Sequence, residues 1–326
     1  MRAVTVPHPG DAHVLTVTDV AEPAPGDREV LIRVTAAGVN GADLSQRRGH
    51  YPSPPGAPPW PGLEVSGEVA GVGAAVTEWT VGDRVCALLP GGGYAEYVTA
   101  DAGLVLPVPP GVDLVEAAGL PEVVATVWST VFQLAELRSG ETLLVHGGSS
   151  GIGSMAIQLG SAFGARVIAT AGTPEKTAFS RGLGAEIAVD YKSQDFVEVV
   201  KDATDGHGAD VVLDIVGGDY LSRDLDALAV GGRIMSIADR SGGTASIDVG
   251  LLMRKRARIW GTTLRARPLS ERVAIIAAVR ENVWPLLETG RVHPVIDSVF
   301  PLVDAAQAHL RMESSAHLGK ILLQAR

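Results

Sequence analysis

Hydrophobic and polar positions change their rhythm once along this chain, near Pro121. Before it, apolar residues recur in short runs: Met1–Pro7, Glu29–Val34, Gly67–Ala70, Asp83–Leu88 and Ala95–Val98. Runs this short, spaced closely among glycines and prolines, predict the strands of a compact, irregular β-barrel. The six prolines between Tyr51 and Pro61 predict a rigid loop rather than a strand, and Gly91–Gly93 a hairpin or loop device.

After Pro121 the pattern lengthens. A helix over about 122–138 leads into strand patterns at Thr142–Val145, Arg166–Thr170, Ile187–Val189, Asp210–Asp214, Arg233–Ile237 and Arg258–Thr262. Helical stretches separate most of them, and that alternation predicts an α/β fold with a doubly wound parallel six-stranded sheet. From about 265 come a helix (Ser270–Thr289), a short strand near Val295, a helix (Val303–Glu313) and a last strand, Lys320–Leu323. This tail is too small to stand alone and is expected to pack on the first domain. The predicted domains are therefore 1–122 with 265–326, and 123–264.

The first strand of the second domain breaks into glycines: His146-Gly147-Gly148-Ser149-Ser150-Gly151-Ile152-Gly153, followed by an amphipathic run from Ser154. Strand, glycine turn and helix in this order form the context of a dinucleotide site. Glycines admit backbone conformations that a Cβ forbids, and the helix start offers unpaired N–H groups to a phosphate. Gly148, Gly151 and Gly153 fit the spacing, with Ser150 in the place of the usual middle glycine. The plain alternative is a tight turn without a ligand.

Composition narrows the classes. The chain has 326 residues and a net charge of −10, which argues against nonspecific binding to nucleic acid or an acidic membrane. A single cysteine, Cys86, rules out an internal disulfide and a multi-cysteine zinc site, and fits a reducing cytoplasmic location. Its apolar strand makes it an inert core residue. The longest apolar run, Val123–Ala135, is bounded by Glu122 and Glu136 and falls short of the ~18 residues of a membrane span. The basic run Arg254–Arg258 reads as a solvated turn.

The chain resembles the medium-chain dehydrogenase/reductase superfamily, and within it the zinc-independent, zeta-crystallin-like quinone oxidoreductases. The resemblance spans nearly the whole length and is carried by Ala37–Asp43, Pro61–Gly67, Val81–Val85, Gly92–Tyr97, the turn at 146–153 and Leu318–Leu322. It implies a GroES-like β-barrel catalytic domain formed by both chain ends, a central Rossmann domain, and NADPH held in a cleft. Zinc-dependent relatives place a cysteine and a histidine where this chain has Asn40 and Leu63, so no metal is expected. The glycine spacing also satisfies the short-chain reductases, but none of the tyrosines has the lysine four positions on that those enzymes use.

The cofactor-binding residues read from the turn are Gly148, Ser149, Ser150, Gly151, Ile152 and Gly153. NAD-type sites put a carboxylate at the end of the second strand, where this chain has Ala171-Gly172-Thr173-Pro174-Glu175-Lys176. With no carboxylate at the strand end itself, a 2′-phosphate is not repelled, and the resemblance puts Lys176 on it as a point charge; a solvated helix lysine is the alternative. Glu175, one position away on a helix, points aside by about 100°. Tyr191 is expected against the adenosine end, Thr126 beside the nicotinamide by family analogy, and Val216, Gly217 and Ala238 along the crevice. Lys320 resembles a tail residue that reaches the cofactor; a surface lysine is its alternative.

Without a metal the reaction needs an acceptor that takes hydride readily, which a quinone does. The resemblance sets Asn40 and Asp43 beside the nicotinamide and Tyr51 at the cleft mouth, with Asn40 and Tyr51 able to donate to a developing oxyanion. Asp43 as a helix cap and Tyr51 as a loop anchor are the structural alternatives. Arg265 and Arg267 read as a solvated linker or the substrate end. The expected activity is NADPH-dependent quinone reduction; reduction of an activated C=C bond in an enone or enoyl thioester, and a non-catalytic NADPH-binding sensor, are the alternatives. Family members pair the sixth-strand edge across a two-fold axis, so a homodimer is expected.

Overall fold

The computed structural model describes residues 1–239 and 243–325. The chain forms two compact units, Met1–Ala125 with Arg265–Arg326, and Thr126–Leu264. In the first, β1 (Arg2–Thr5) pairs antiparallel with β2 (Thr16–Asp19). The sequence pattern misses β2, whose four residues are all exposed and carry no buried stripe. Strand β3 (Glu29–Val39) is the spine of the unit. Helix α1 (Gly41–Arg47) follows it, then β4 (Glu64–Val72), β5 (Arg84–Leu88), β6 (Tyr97–Asp101) and β7 (Val105–Pro107). Alternate residues of β3, among them Val30, Ile32 and Val34, face a core completed by Val65, Val69, Val85 and Trp79. The proline-rich stretch before β4 holds no strand.

Helix α2 (Pro121–Val127) opens on a proline at the position where a missing N–H is harmless. It runs into a π-helical segment, Trp128–Leu134, with the Ala135 N–H reaching back to the Thr130 carbonyl. Inside the wider turn Trp128 stacks on Phe132 at 5.1 Å, and Phe163 tilts against both. Hydrophobic periodicity does not separate a π turn from an α turn, so the sequence predicts only a helix here.

The second unit is the predicted doubly wound sheet. Strands β8 (Thr142–Val145), β9 (Arg166–Ala171), β10 (Ile187–Asp190), β11 (Ala209–Asp214), β12 (Leu228–Ser236) and β13 (Arg258–Gly261) are all parallel, in the order β10-β9-β8-β11-β12-β13. Between them lie α3 (Gly151–Ala162), α4 (Pro174–Gly182), α5 (Phe196–Ala203), α6 (Tyr220–Ala227) and α7 (Val249–Lys255). Most of these helices start on a side chain that accepts an early N–H: Ser150, Thr173, Asp195 and Asp248. Leu144, Ile168, Val189, Val212 and Ile234 of the sheet pack with Phe196, Val200 and Leu225. The run Arg254–Arg258 spans the end of α7, the turn after it and the first residue of β13, with its three arginines exposed; Arg256 takes a left-handed cap, and the Lys255 ammonium donates to the Asp226 and Leu228 carbonyls.

The tail rejoins the first unit. One predicted helix is two, α8 (Leu269–Asn282) and α9 (Trp284–Glu288), because Pro285 cannot continue the first and starts the second. Then come β14 (Ile296–Pro301), α10 (Ala305–Glu313) and β15 (Lys320–Gln324). The first unit's main sheet runs β14-β15-β3-β4-β5-β7, with β6 sharing an edge of β3 with β15. Among the described residues no helix is long and apolar enough to cross a membrane.

Candidate active site

The glycine turn leaves the carboxyl end of β8, next to β11 in the sheet, at the point where the strand order reverses. Gly147 takes φ +67°, a left-handed conformation that glycine adopts without strain. The Gly148 N–H donates to the Thr170 carbonyl at 2.9 Å, tying the turn to β9. Ser150 caps α3, its hydroxyl accepting the Gly153 N–H at 3.0 Å. A Cβ on Gly153 would lie 2.2 Å from the Gly147 oxygen, so this glycine lets helix and turn touch. Among the described residues the N–H groups of Gly151 and Ile152 meet no acceptor. Two open amides at a helix N-terminus, with its partial positive charge, fit a phosphate. Ser149 is buried behind them.

Below the turn lies support that sequence reasoning missed. His146 is wholly buried; its Nε2 lies 2.7 Å from Asp224 Oδ1 and its Nδ1 3.0 Å from the Thr170 hydroxyl. The Thr170 oxygen in turn accepts the Gly147 N–H. Phe196 and Tyr220 meet the imidazole edge-on at 4.8 and 5.0 Å. Burial raises the Asp224 carboxyl above its ordinary range, and His146 opposes this. A histidine ending an apolar strand beside a glycine turn was the available signal.

The neighbouring strand ends collect the other nucleotide residues. After β9, Thr173 caps α4 through the Lys176 N–H at 3.2 Å, which sets the half-buried Lys176 in the first helical turn. Tyr191 follows β10, half-exposed, and a Cβ on Gly172 would meet its hydroxyl at 2.5 Å. The bare glycine is therefore what lets the ring lie over the end of β9. Beyond β11 the Val216 and Gly217 N–H groups donate to the buried Asp214 carboxylate at 2.7 and 3.1 Å. Those amides are committed within the chain, and Asp214 was not singled out from sequence. Ala238 is exposed beyond β12. Thr126 is buried on α2, its carbonyl accepting the Thr130 hydroxyl at 2.6 Å.

The first unit gathers Asn40, Asp43 and Lys320 into one buried polar cluster. Asp43 closes back on the Asn40 N–H at 2.8 Å and accepts the Gly62 N–H at 2.9 Å, with both bonds coming from backbone amides. Burial pushes its carboxyl up to about 6 against those backbone bonds. It thus does the work of a cap. Lys320 is no surface lysine: its ammonium donates to the Val39 carbonyl, Asn40 Oδ1 and Glu64 Oε1 at 3.0, 2.7 and 2.6 Å. All three protons are in use. Glu64, fully buried and also missed, accepts the Asn40 Nδ2–H at 2.9 Å and the Glu122 N–H at 2.8 Å. Burial, and then Glu64, push the Glu122 carboxyl up to about 8.

The Tyr51 ring lies under the Arg265 guanidinium at 5.2 Å. Arg265 is not a solvated linker residue. It is buried, and donates to the Pro90 carbonyl, Gln46 Oε1 and the Ser53 hydroxyl at 2.6, 2.9 and 3.1 Å. It thereby fastens the proline-rich loop carrying Tyr51. Cys86 is buried and burial raises its thiol. Among the described residues no group of three His, Cys, Asp or Glu is placed to hold a metal ion.

Residues 26–110 match the family described as alcohol dehydrogenase GroES-like domain, and residues 151–279 that described as zinc-binding dehydrogenase. The quinone oxidoreductase of Rattus norvegicus is 34% identical over 326 residues, covering 99% of this chain and 97% of that protein. The crystal structure of Escherichia coli quinone oxidoreductase complexed with NADPH is 28% identical, with a TM-score of 0.89 over 99% of this chain and 100% of that one. The structure of JamJ enoyl reductase is 25% identical, with a TM-score of 0.88 over 99% and 98% of the two chains.

Proposed function

The chain belongs to the medium-chain dehydrogenase/reductase superfamily, alongside its quinone oxidoreductases, and from that premise we propose that it is an NADPH-dependent quinone reductase working without a metal. The observation that carries the reading is the turn at 147–153. Its two open amides are joined by Lys176, in the first turn of α4, after a strand end that carries no carboxylate. These residues suit a diphosphate and a 2′-phosphate.

Bound there, NADPH supplies a hydride for the acceptor. Gly151, Ile152 and the dipole of α3 hold the diphosphate, with Gly148, Ser149, Ser150 and Gly153 shaping the turn. Thr173 and Lys176 take the 2′-phosphate, with Gly172 and Tyr191 at the adenosine. Val216, Gly217, Ala238 and Thr126 line the remaining length. Asn40 and Tyr51 bond the acceptor oxygen as it gains charge, and Asp43 holds Asn40 in place. Solvent supplies the proton that completes the hydroquinone. The protein works in the cytoplasm as a homodimer joined along β13, an edge strand that exposes Trp260.

The likeness to an enoyl reductase favours one second reading, reduction of an activated C=C bond. Loss of NADPH absorbance against a panel of quinones, enones and an enoyl thioester decides. Turnover with quinones supports the proposal, and turnover with enones alone replaces it with the second reading. NADPH binding with no turnover makes the protein a sensor. Elution at monomer size in gel filtration would overturn the dimer.

A further inference from the structure

Lys320 and Glu64 form a buried ion pair that the nucleotide site does not use. Each charge is fully met: the ammonium has three acceptors, and the carboxylate receives Lys320, the Asn40 amide and the Glu122 N–H. Lys320 is 3% exposed and Glu64 0%. A pair this deep is weak evidence for stability, because desolvation offsets the attraction. Its geometry does fix something else, the orientation of Asn40.

An ammonium only donates and a carboxylate only accepts. The Asn40 atom 2.7 Å from Lys320 is therefore its oxygen, and the atom 2.9 Å from Glu64 its nitrogen. The chain makes room for this arrangement at Gly38, where a Cβ would fall 2.2 Å from Glu64 Oε1. One Asn40 N–H is spent on Glu64. Among the described residues the other has only the Gly38 carbonyl at 3.4 Å, the longest bond of the cluster, at the outer limit of a useful hydrogen bond. A cation on the carbonyl end draws electrons from the amide and strengthens that second N–H as a donor.

We propose that Lys320 and Glu64 are positioning residues that orient and polarise the Asn40 carboxamide, leaving its second N–H for the acceptor oxygen that becomes negative as hydride arrives. This rests on the reading of Asn40 as a residue at the acceptor. The electron pair delivered with the hydride comes to reside on that oxygen, which solvent then protonates. Neither Lys320 nor Glu64 touches the acceptor.

The test is a double-mutant cycle on the full-length protein with NADPH and a quinone. Lys320→Met is expected to lower kcat about 10- to 100-fold with KM for NADPH unchanged, and to have no further effect in an Asn40→Ala background. A Lys320→Met protein with wild-type kcat, or one that loses as much activity in the Asn40→Ala background, would overturn the proposal. Should the substitution prevent folding, the wild-type protein still decides. With side-chain ¹⁵N-labelled asparagine, the two Asn40 amide protons should be well separated, and a hydroquinone should move only one. Movement of both or neither overturns the proposal. A wild type that turns over no acceptor and binds no hydroquinone refutes the functional reading instead.

Discussion

Gly153→Ala separates the stability of the glycine turn from its task. The added Cβ would lie 2.2 Å from the Gly147 oxygen and 2.8 Å from the Gly148 Cα, both backbone atoms that cannot rotate aside. An ordinary contact begins near 3.4 Å, so the turn must move by about 1.2 Å. Overpacking of this kind costs about 1–3 kcal/mol, and the better helix propensity of alanine returns up to about 1. The net destabilisation is about 1–2 kcal/mol, a few degrees in Tm. A shift of the turn also spoils the aim of the Gly151 and Ile152 amides. Charge-assisted bonds contribute about 1.5–3 kcal/mol each, so losing most of two weakens NADPH binding about 100-fold. Gly182→Ala is the control, since nothing lies within 4 Å of its added Cβ and it ends a helix. It should leave Kd unchanged. Titration calorimetry and thermal unfolding measure both variants. A Gly153→Ala protein that binds NADPH as tightly as wild type at unchanged Tm would refute the steric reasoning.

Lys176→Ala should raise KM for NADPH about tenfold and leave KM for NADH unchanged; an equal rise for both would remove the 2′-phosphate role. His146→Ala strands the Asp224 carboxylate with no partner for a buried charge, and should cost about 3–5 kcal/mol in urea unfolding. A loss below about 1 kcal/mol would mean that the pair carries little. Glu122 has its carboxyl raised from 4.5 to about 8. The folded state therefore holds the proton more tightly, and the stability this contributes is complete below 4.5 and lost as pH rises through about 8. Glu122→Gln should remove that loss, gaining about 2 kcal/mol on wild type between about pH 5 and about pH 9. A constant difference across that range would contradict the assignment.

Most of the parallel strands were legible because they are covered on both faces and so read as continuous apolar runs; β8 and β11 are examples. The exposed β2 carries no such mark. The break between α8 and α9 was written in Trp284-Pro285 but is masked by apolar positions on both sides. Glycine spacing located the turn, because only backbone geometry is at stake there. What sequence did not convey is pairing across distance. Glu64 in the run Leu63-Glu64-Val65 was visible as an acid amid apolar neighbours, yet Lys320 lies far along the chain. Arg265 looked like linker because its partners come from far along the chain: Gln46 from α1, and Ser53 and Pro90 from loops that no periodicity predicts.

The place of β15 has a consequence for how the protein is made. It lies inside its sheet, between β14 and β3, yet it is translated after the fourteen strands that precede it. The residues of the Rossmann unit are contiguous and can collapse while the ribosome is still at work, whereas the N-terminal half must wait with the Ala36–Val39 stretch of the β3 edge open. During that interval the nascent chain displays an unpaired strand edge, the kind of surface that chaperones shield and that seeds misassembly. A message truncated just before Lys320 would release a polypeptide whose nucleotide-binding half is complete and whose other half never closes.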